Sequence, residues 1–367
     1  MSVVVVGRVA MCLALGAVLL TGCARFDDSA ASPFTPEPTF DPAAPKRPQT
    51  TPPSTTRPSG PCIDPDPAVV ATCLDPTAGI IAFGDGALVA ERRTGRILKV
   101  VSPETPPVEV AKIEVDGSGD GGLSDIALSP HFGEDGLMYA YITTASDNRV
   151  VRIADGGSPK PILTGIPKGA TGNHGALEWA GPDRLMVLTG DAGDPGLAAA
   201  PSSLAGKLLR VDAPAPGATP QVAASGIGTA GDLCHDGGDN LWFTDRTAIE
   251  DRLQRLDAQG VVSVGWTWPD RPGVAGCAAA LDGVAVALTD GKALSLATLD
   301  PNTHTVTTAP SLLAQDKYGR LSGATVGPDG SFWVGTVNKA DGSQPGPNDD
   351  RVVRIPLPQA GGGGGPD

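Results

Sequence analysis

The chain lacks any run of basic residues. Its formal net charge is −14, with 27 Lys plus Arg against 41 Asp plus Glu. An acidic surface without a basic stripe excludes nucleic acid as a partner, because phosphate binding depends on clustered cations. The chain also lacks CxxC spacing, which argues against a zinc site. Its N-terminal apolar run extends only from Val9 to Leu20, short of the roughly 20 residues that a membrane-spanning helix needs. Histidine is scarce, with four residues in all. A histidine base would therefore be His131, His174, His235 or His304.

The two ends differ from the middle. Residues 1–22 carry Arg8, the apolar run and then Thr21-Gly22, the pattern of a signal peptide. Leu20-Thr21-Gly22-Cys23 resembles a bacterial lipobox. Cleavage there would leave Cys23 as an acylated first residue, a lipid anchor in the membrane. Residues 23–60 are rich in Pro, Ser and Thr without apolar periodicity, the composition of an extended tether. Residues 359–367 are a Gly-rich tail. These features place the protein outside the cytoplasm, on the outer face of a bacterial cell membrane.

Between the ends, residues 61–358 are built from a repeat. Six short apolar runs each follow a turn that contains Asp: DGALVAE (85–91), DGLMYAY (135–141), DRLMVLT (183–189), DNLWFTD (239–245), DGVAVAL (282–288) and DGSFWVG (329–335). Each leads into a second strand, and these begin at residues 95, 148, 206, 251, 291 and 350. Their spacing of roughly 50 residues is the signature of propeller blades. A small-residue strand precedes each Asp, suited to a crowded axis. A fourth, outer strand is readable in the first five repeats but not in the sixth. The segment AVVATCL (68–74) is free to fill that place. The expected fold is all-β: a six-bladed propeller of four-stranded antiparallel blades, closed by an N-terminal strand that protects the last sheet edge.

Four cysteines remain once Cys12 and Cys23 are set aside. An even number in an oxidising compartment points to disulfides. Cys234 and Cys277 occupy equivalent positions ahead of Asp239 and Asp282, on inner strands of neighbouring blades. The pairing expected is Cys234–Cys277 with Cys62–Cys73.

His174 is the residue best placed for chemistry. It stands in Thr171-Gly172-Asn173-His174-Gly175, at the start of the third inner strand. Asp191, in LTGDAGDP (188–195), follows the next strand of the same blade. A carboxylate bonded to the imidazole would orient it as a general base. Trp242, Trp266, Trp268 and Trp333 lie on or beside strands and read as blade packing.

The runs ALVAERRTGRILKV (87–100), GDGGLSDIALSPHFGEDGLMYAYIT (119–143), GNHGALEWAGPDRLMVLTGDAGDP (172–195) and SLAGKLLRVD (203–212) resemble the soluble, pyrroloquinoline-quinone (PQQ)-dependent glucose/sorbosone dehydrogenases. The resemblance runs through about residues 68–357. It implies a cofactor site at the axis, with His174 as the base toward a sugar hydroxyl and Asp191 as its partner. It also implies that Asp120 and Arg320 lie near the cofactor. The metal ligands stay unassigned, because the chain departs from the family where calcium would bind. Gly226-Ile227-Gly228-Thr229 stands where the family has Gly-His-Arg-Asn. Asp245-Arg246-Thr247-Ala248, then Glu250-Asp251, replaces the calcium loop. The family's blade-five Lys falls near Thr289, with Lys292 close by. Arg246 and Lys317 are the candidates to restore the lost positive charge.

Three readings stay open. The first is a sugar-oxidising dehydrogenase using PQQ and calcium. The second is a non-catalytic propeller lipoprotein that binds a ligand or protein. The third, a lactonase-like metal centre, would need several convergent carboxylates, of which the inner-strand starts offer Asp125 and Asp232.

Overall fold

A computed structural model describes residues 60–154, 157–280, 282–340 and 344–357. The signal segment, Cys23, the tether up to residue 59 and the Gly-rich tail lie outside the described residues. Six four-stranded antiparallel sheets make up the fold, as the repeat predicts. β1 (Val69–Ala71) comes first. The first blade is β2 (Thr77–Phe83), β3 (Gly86–Glu91), β4 (Arg96–Val100) and β5 (Val108–Lys112). The second is β6 (Leu123–Leu128), β7 (Met138–Thr143), β8 (Asn148–Ile153) and β9 (Lys160–Ile166). The third is β10 (Gly175–Trp179), β11 (Arg184–Thr189), β12 (Lys207–Asp212) and β13 (Gln221–Ser225). The fourth is β14 (Thr229–His235), β15 (Leu241–Arg246), β16 (Asp251–Leu256) and β17 (Val262–Trp268). The fifth is β18 (Val274–Ala280), β19 (Gly283–Leu288), β20 (Ala293–Thr298) and β21 (Ser311–Leu313). The sixth is β22 (Leu321–Val326), β23 (Phe332–Thr336) and β24 (Val352–Ile355).

The sixth sheet has the order β1-β24-β23-β22. Val69 stands opposite Val353, so a strand from the N-terminal side completes the last blade. The join continues past the strand: Leu74 and Asp350 exchange N–H···O bonds of 3.0 Å. The edge of the last sheet is thereby paired, as the sequence leads one to expect.

The second strand of each blade is its most buried. β3 is buried along its whole length, and β19 everywhere but its first residue. Side chains from neighbouring sheets interlock between blades, as with Trp242 and Leu253 against Val284 and Val286. Trp242 and Trp333 are fully buried, the packing role expected of them. One turn departs from the expected tight hairpin. The short helix α1 (Phe132–Asp135) sits between β6 and β7, and ends on Gly136 at φ 60°. A left-handed φ is where glycine costs least.

Both disulfides are present, Cys62–Cys73 and Cys234–Cys277. The second joins β14 to β18 across a blade boundary and closes a loop with a sequence separation of 43. The chain-entropy estimate for such a loop is about 4 kcal/mol. The double variant Cys234→Ala/Cys277→Ala should therefore unfold at lower denaturant, with about 2–4 kcal/mol lost and the far-ultraviolet dichroism of the native state unchanged. An unaltered denaturation midpoint would show that the bond contributes nothing to the ring.

Candidate functional site

The inner strands meet at the axis with small residues, and five of the six are irregular near their starts. Pairing shifts register between Thr77 and Ile80, Leu123 and Asp125, Ala230 and Leu233, Val274 and Cys277, and Leu321 and Ala324. Only β10 pairs without a shift. Bulges bend a strand and re-aim its side chains. The displaced residues, among them Gly79, Ser124, Asp232 and Ser322, line one axial cavity of about 270 Å³. Room there is tight: a Cβ on Gly79 would lie 2.0 Å from Asp125 Oδ1.

Three arginines, Arg92, Arg246 and Arg320, line the cavity together with His174 and Asp120. Asp120 is a positioning group. Its Oδ2 accepts the Gly172 N–H at 2.6 Å and its Oδ1 accepts Asn173 Nδ2 at 2.8 Å. It thus clasps the turn immediately before His174. Asn173 is buried and also bonds to Gly169. Arg92 steadies the opposite side of that contact, donating from Nη1 to Gly119 O at 3.0 Å and Gly121 O at 2.5 Å.

Burial lowers the His174 pKa to about 4. The Asp120 charge opposes that shift, and Arg92 and Arg246 reinforce it. At neutral pH the imidazole is uncharged and has a lone pair to offer. Arg320 pairs with Asp290 at 3.2 Å. Arg246 ends β15, and among the described residues its Nε is buried without a partner.

The expected sites do not all converge. His174, Asp120 and Arg320 share the cavity, but Asp191 does not line it. Pairing of Gly175 with Thr189 does bring the two segments together. Backbone atoms make the contact, with Gly190 N–H donating to His174 O and Ala192 N–H to Gly172 O. The Asp191 carboxylate turns to the Gly193 N–H at 2.9 Å, and burial raises its pKa. The carboxylate whose charge acts on His174 is Asp120, so the expectation that Asp191 partners the imidazole gives way to Asp120. Of the candidates for restored charge, Arg246 faces the cavity while Lys317 pairs with Asp66 at 2.9 Å. Thr289 also lines the cavity, whereas Lys292 belongs to a separate depression. Arg92 was missed because the sequence motif around it reads as an ordinary strand-to-strand turn.

Below the cavity the axis narrows at Asp125 and Asp232, which also line an opening of about 390 Å³ on the other side. Each carboxylate ties one blade to the next. Asp125 Oδ2 accepts the Leu177 N–H at 2.7 Å, and Asp232 Oδ2 the Cys277 N–H at 2.9 Å. No cluster of three or more His, Cys, Asp or Glu able to hold a metal occurs among the described residues. The convergent carboxylates required by a lactonase-like centre are thus not found among them.

Comparison with known proteins follows the same division of the ring. Residues 74–228 match the glucose/sorbosone dehydrogenase family model. The resemblance read in the sequence is therefore shown for the segment that carries Arg92, Asp120 and His174. The glucose/sorbosone dehydrogenase match ends where the fourth blade begins. The PQQ-bound aldose sugar dehydrogenase of Streptomyces coelicolor is similar over 78% of this chain and 95% of its own, at 28% identity and a TM-score of 0.70. A putative oxidoreductase (glucose dehydrogenase) of Thermus thermophilus is similar over 78% and 98%, also at 28% identity, with a TM-score of 0.68. The apo aldose sugar dehydrogenase of Escherichia coli, at 18% identity and a TM-score of 0.65, shares the fold. No curated protein matches the chain.

Glu178 lines the lower opening. Burial raises its pKa to about 7, against the bond that Oε1 accepts from the Trp179 N–H. A group whose pKa is raised on folding stabilises the protein below its unfolded value, and that stability is lost as pH rises through the folded value. The window here runs from about 4.5 to about 7. Glu178→Gln keeps the oxygen acceptor and removes the charge. The variant should melt above the parent at pH 8 and show a flatter pH dependence of Tm between pH 5 and 8. Parallel curves for the two proteins would refute the assignment.

Proposed function

We propose that this protein is a cell-envelope lipoprotein whose propeller is an oxidoreductase of the sugar dehydrogenase type, acting on an aldose or related alcohol. The observation that carries the reading is the neutral His174, held by the Asp120-clasped turn in a cavity lined by three guanidinium groups. PQQ is a tricarboxylate, and Arg92, Arg246 and Arg320 would hold its anionic groups. At about 270 Å³ the cavity is near the small end of ligand sites, which run from roughly 300 Å³ upward. The PQQ-bound Streptomyces neighbour supports the same cofactor class.

PQQ, when bound, supplies a two-electron oxidant. This chain's own residues do the rest. His174 takes the proton from the substrate hydroxyl onto its free ring nitrogen. Asp120 fixes the imidazole through Gly172 and Asn173, and its negative charge stabilises the imidazolium that forms. Calcium does not fit the stretch that replaces the family's loop. Asp245 is fully engaged by Arg252, Gln254 and the Gly228 N–H. Asp251 commits Oδ2 to the Gly273 and Val274 N–H groups and leaves only Oδ1 unpartnered among the described residues, far short of the roughly six to eight oxygens that calcium takes.

His174→Ala should lower dye-coupled aldose oxidation by about a hundredfold to ten-thousandfold, the usual contribution of a general base. PQQ binding, followed by fluorescence quenching, should stay within about threefold of the parent. Undiminished turnover would refute the base. In the parent protein the rate should rise through about pH 4 as His174 loses its proton. A non-catalytic binding propeller is the second reading, favoured by the absence of the Arg-Asn pair at Gly226–Thr229. Failure of PQQ to bind at high micromolar concentration would select it.

The lipobox-like Cys23 and its preceding apolar run support anchoring in the membrane. Cys23→Ala should shift the protein from the membrane fraction to the soluble one. Retention in the membrane would overturn the anchor.

A further inference from the structure

We propose that Arg246 supplies the cationic centre of this cavity, making it a calcium-independent site for a carboxylate or phosphate. The inference starts from a guanidinium with nothing to bond. Arg246 is fixed by its backbone at the end of β15, between Thr229 on one side and Asp251 on the other. Its side chain lines the cavity. Among the described residues it makes no hydrogen bond or ion pair, and its buried Nε has no acceptor.

The other two arginines have work within the protein. Arg92 holds the Gly119–Gly121 loop, and Arg320 pairs with Asp290. Arg246 therefore offers its full planar fork of donors to a ligand. A guanidinium matches carboxylate and phosphate in paired, parallel bonds. A buried donor left unpaired is costly, so an anion that completes it gains affinity.

The neighbouring charges are mixed. Asp251, Asp290 and Asp120 act on Arg246 as counter-charges, while Arg320 adds to the positive potential. Asp251 commits Oδ2 to two backbone N–H groups and leaves Oδ1 buried without a partner among the described residues. Asp245, the residue before Arg246, spends both oxygens on Arg252, Gln254 and Gly228. A divalent cation entering here would meet a fixed guanidinium and few uncommitted oxygens. An anion meets the unpartnered donor of Arg246 with Arg320 beside it.

The test is calorimetric titration of the whole propeller with PQQ, in EDTA and in calcium chloride, and with citrate in EDTA alone, because citrate itself binds calcium. Citrate is a tricarboxylate without redox chemistry, so only the PQQ arm rests on the oxidoreductase reading. At least one probe should bind in EDTA, and calcium should change the Kd of PQQ by less than about twofold. Arg246→Gln should weaken binding by about tenfold or more. Arg246→Lys should recover part of the loss, as a charge without the fork. Far-ultraviolet dichroism of both variants should match the parent, because no hydrogen bond or ion pair of the Arg246 side chain holds the blades together among the described residues.

Citrate binding without PQQ binding would leave the anion site standing and sink the oxidoreductase reading. PQQ binding that requires calcium, with no citrate binding in EDTA, would overturn the anion site and leave the oxidoreductase reading standing. Unchanged affinity in Arg246→Gln, or binding of neither probe, would also overturn it.

Discussion

The cavity exists only because the ring closes. Its walls come from five sheets and from His174, just ahead of β10, and the sixth sheet is completed by β1, paired to β24 from the opposite end of the described chain. The contact between Val69 and Val353, with the bonds exchanged between Leu74 and Asp350, holds the last blade against the first. A side-chain bond carries the closure inward, where Thr77 Oγ1 and Ser322 Oγ lie 2.9 Å apart. Thr77 and Ser322 both line the cavity. Closure and site are thus parts of one bonded path from rim to axis.

At the axis the protein uses carboxylates as mortar. Asp125 and Asp232 reach across blade boundaries to backbone N–H groups on the inner strands of the next blades, those of Leu177 and Cys277. Burial pushes the pKa of Asp232 to about 7 and raises that of Asp125 as well. Above them the cavity is lined by the guanidinium groups of Arg92, Arg246 and Arg320. His174 lies in that positive field and stays neutral, while Asp120 supplies the local charge that steadies its protonated form. The axis is therefore graded, with carboxyl groups held toward their neutral form at the waist and cationic groups at the upper mouth.

The fold was legible because a propeller repeats its pattern. Alternating apolar runs and turns recur through six blades, so an error in one strand does not disturb the register of the rest. The disulfide Cys234–Cys277 followed from the same register. The site was legible only in part. His174 could be placed from its position at a strand start, and Asp120 and Arg320 came from motif resemblance. Asp191 misled because a hairpin brings backbones together without fixing which way a side chain turns. Here the Gly193 N–H is the donor that the carboxylate meets. The bulges that re-aim Ser124, Asp232 and Ser322 leave no sequence signal beyond small residues, and Arg92 looked like any basic residue in a turn.

The Cys62–Cys73 bridge has a mechanical consequence. It spans the closing strand, since β1 lies between the two cysteines. A force applied to the chain ahead of Cys62 crosses the sulfur–sulfur bond to Cys73 and bypasses Val69–Ala71. The load then falls on the bonds from Cys73 N–H to Asn348 O and from Leu74 N–H to Asp350 O. Those anchor points sit beside the sixth blade, so tension cannot peel β1 away like a zip. A protein pulled from this end would keep its closing strand unloaded for as long as the covalent clasp holds.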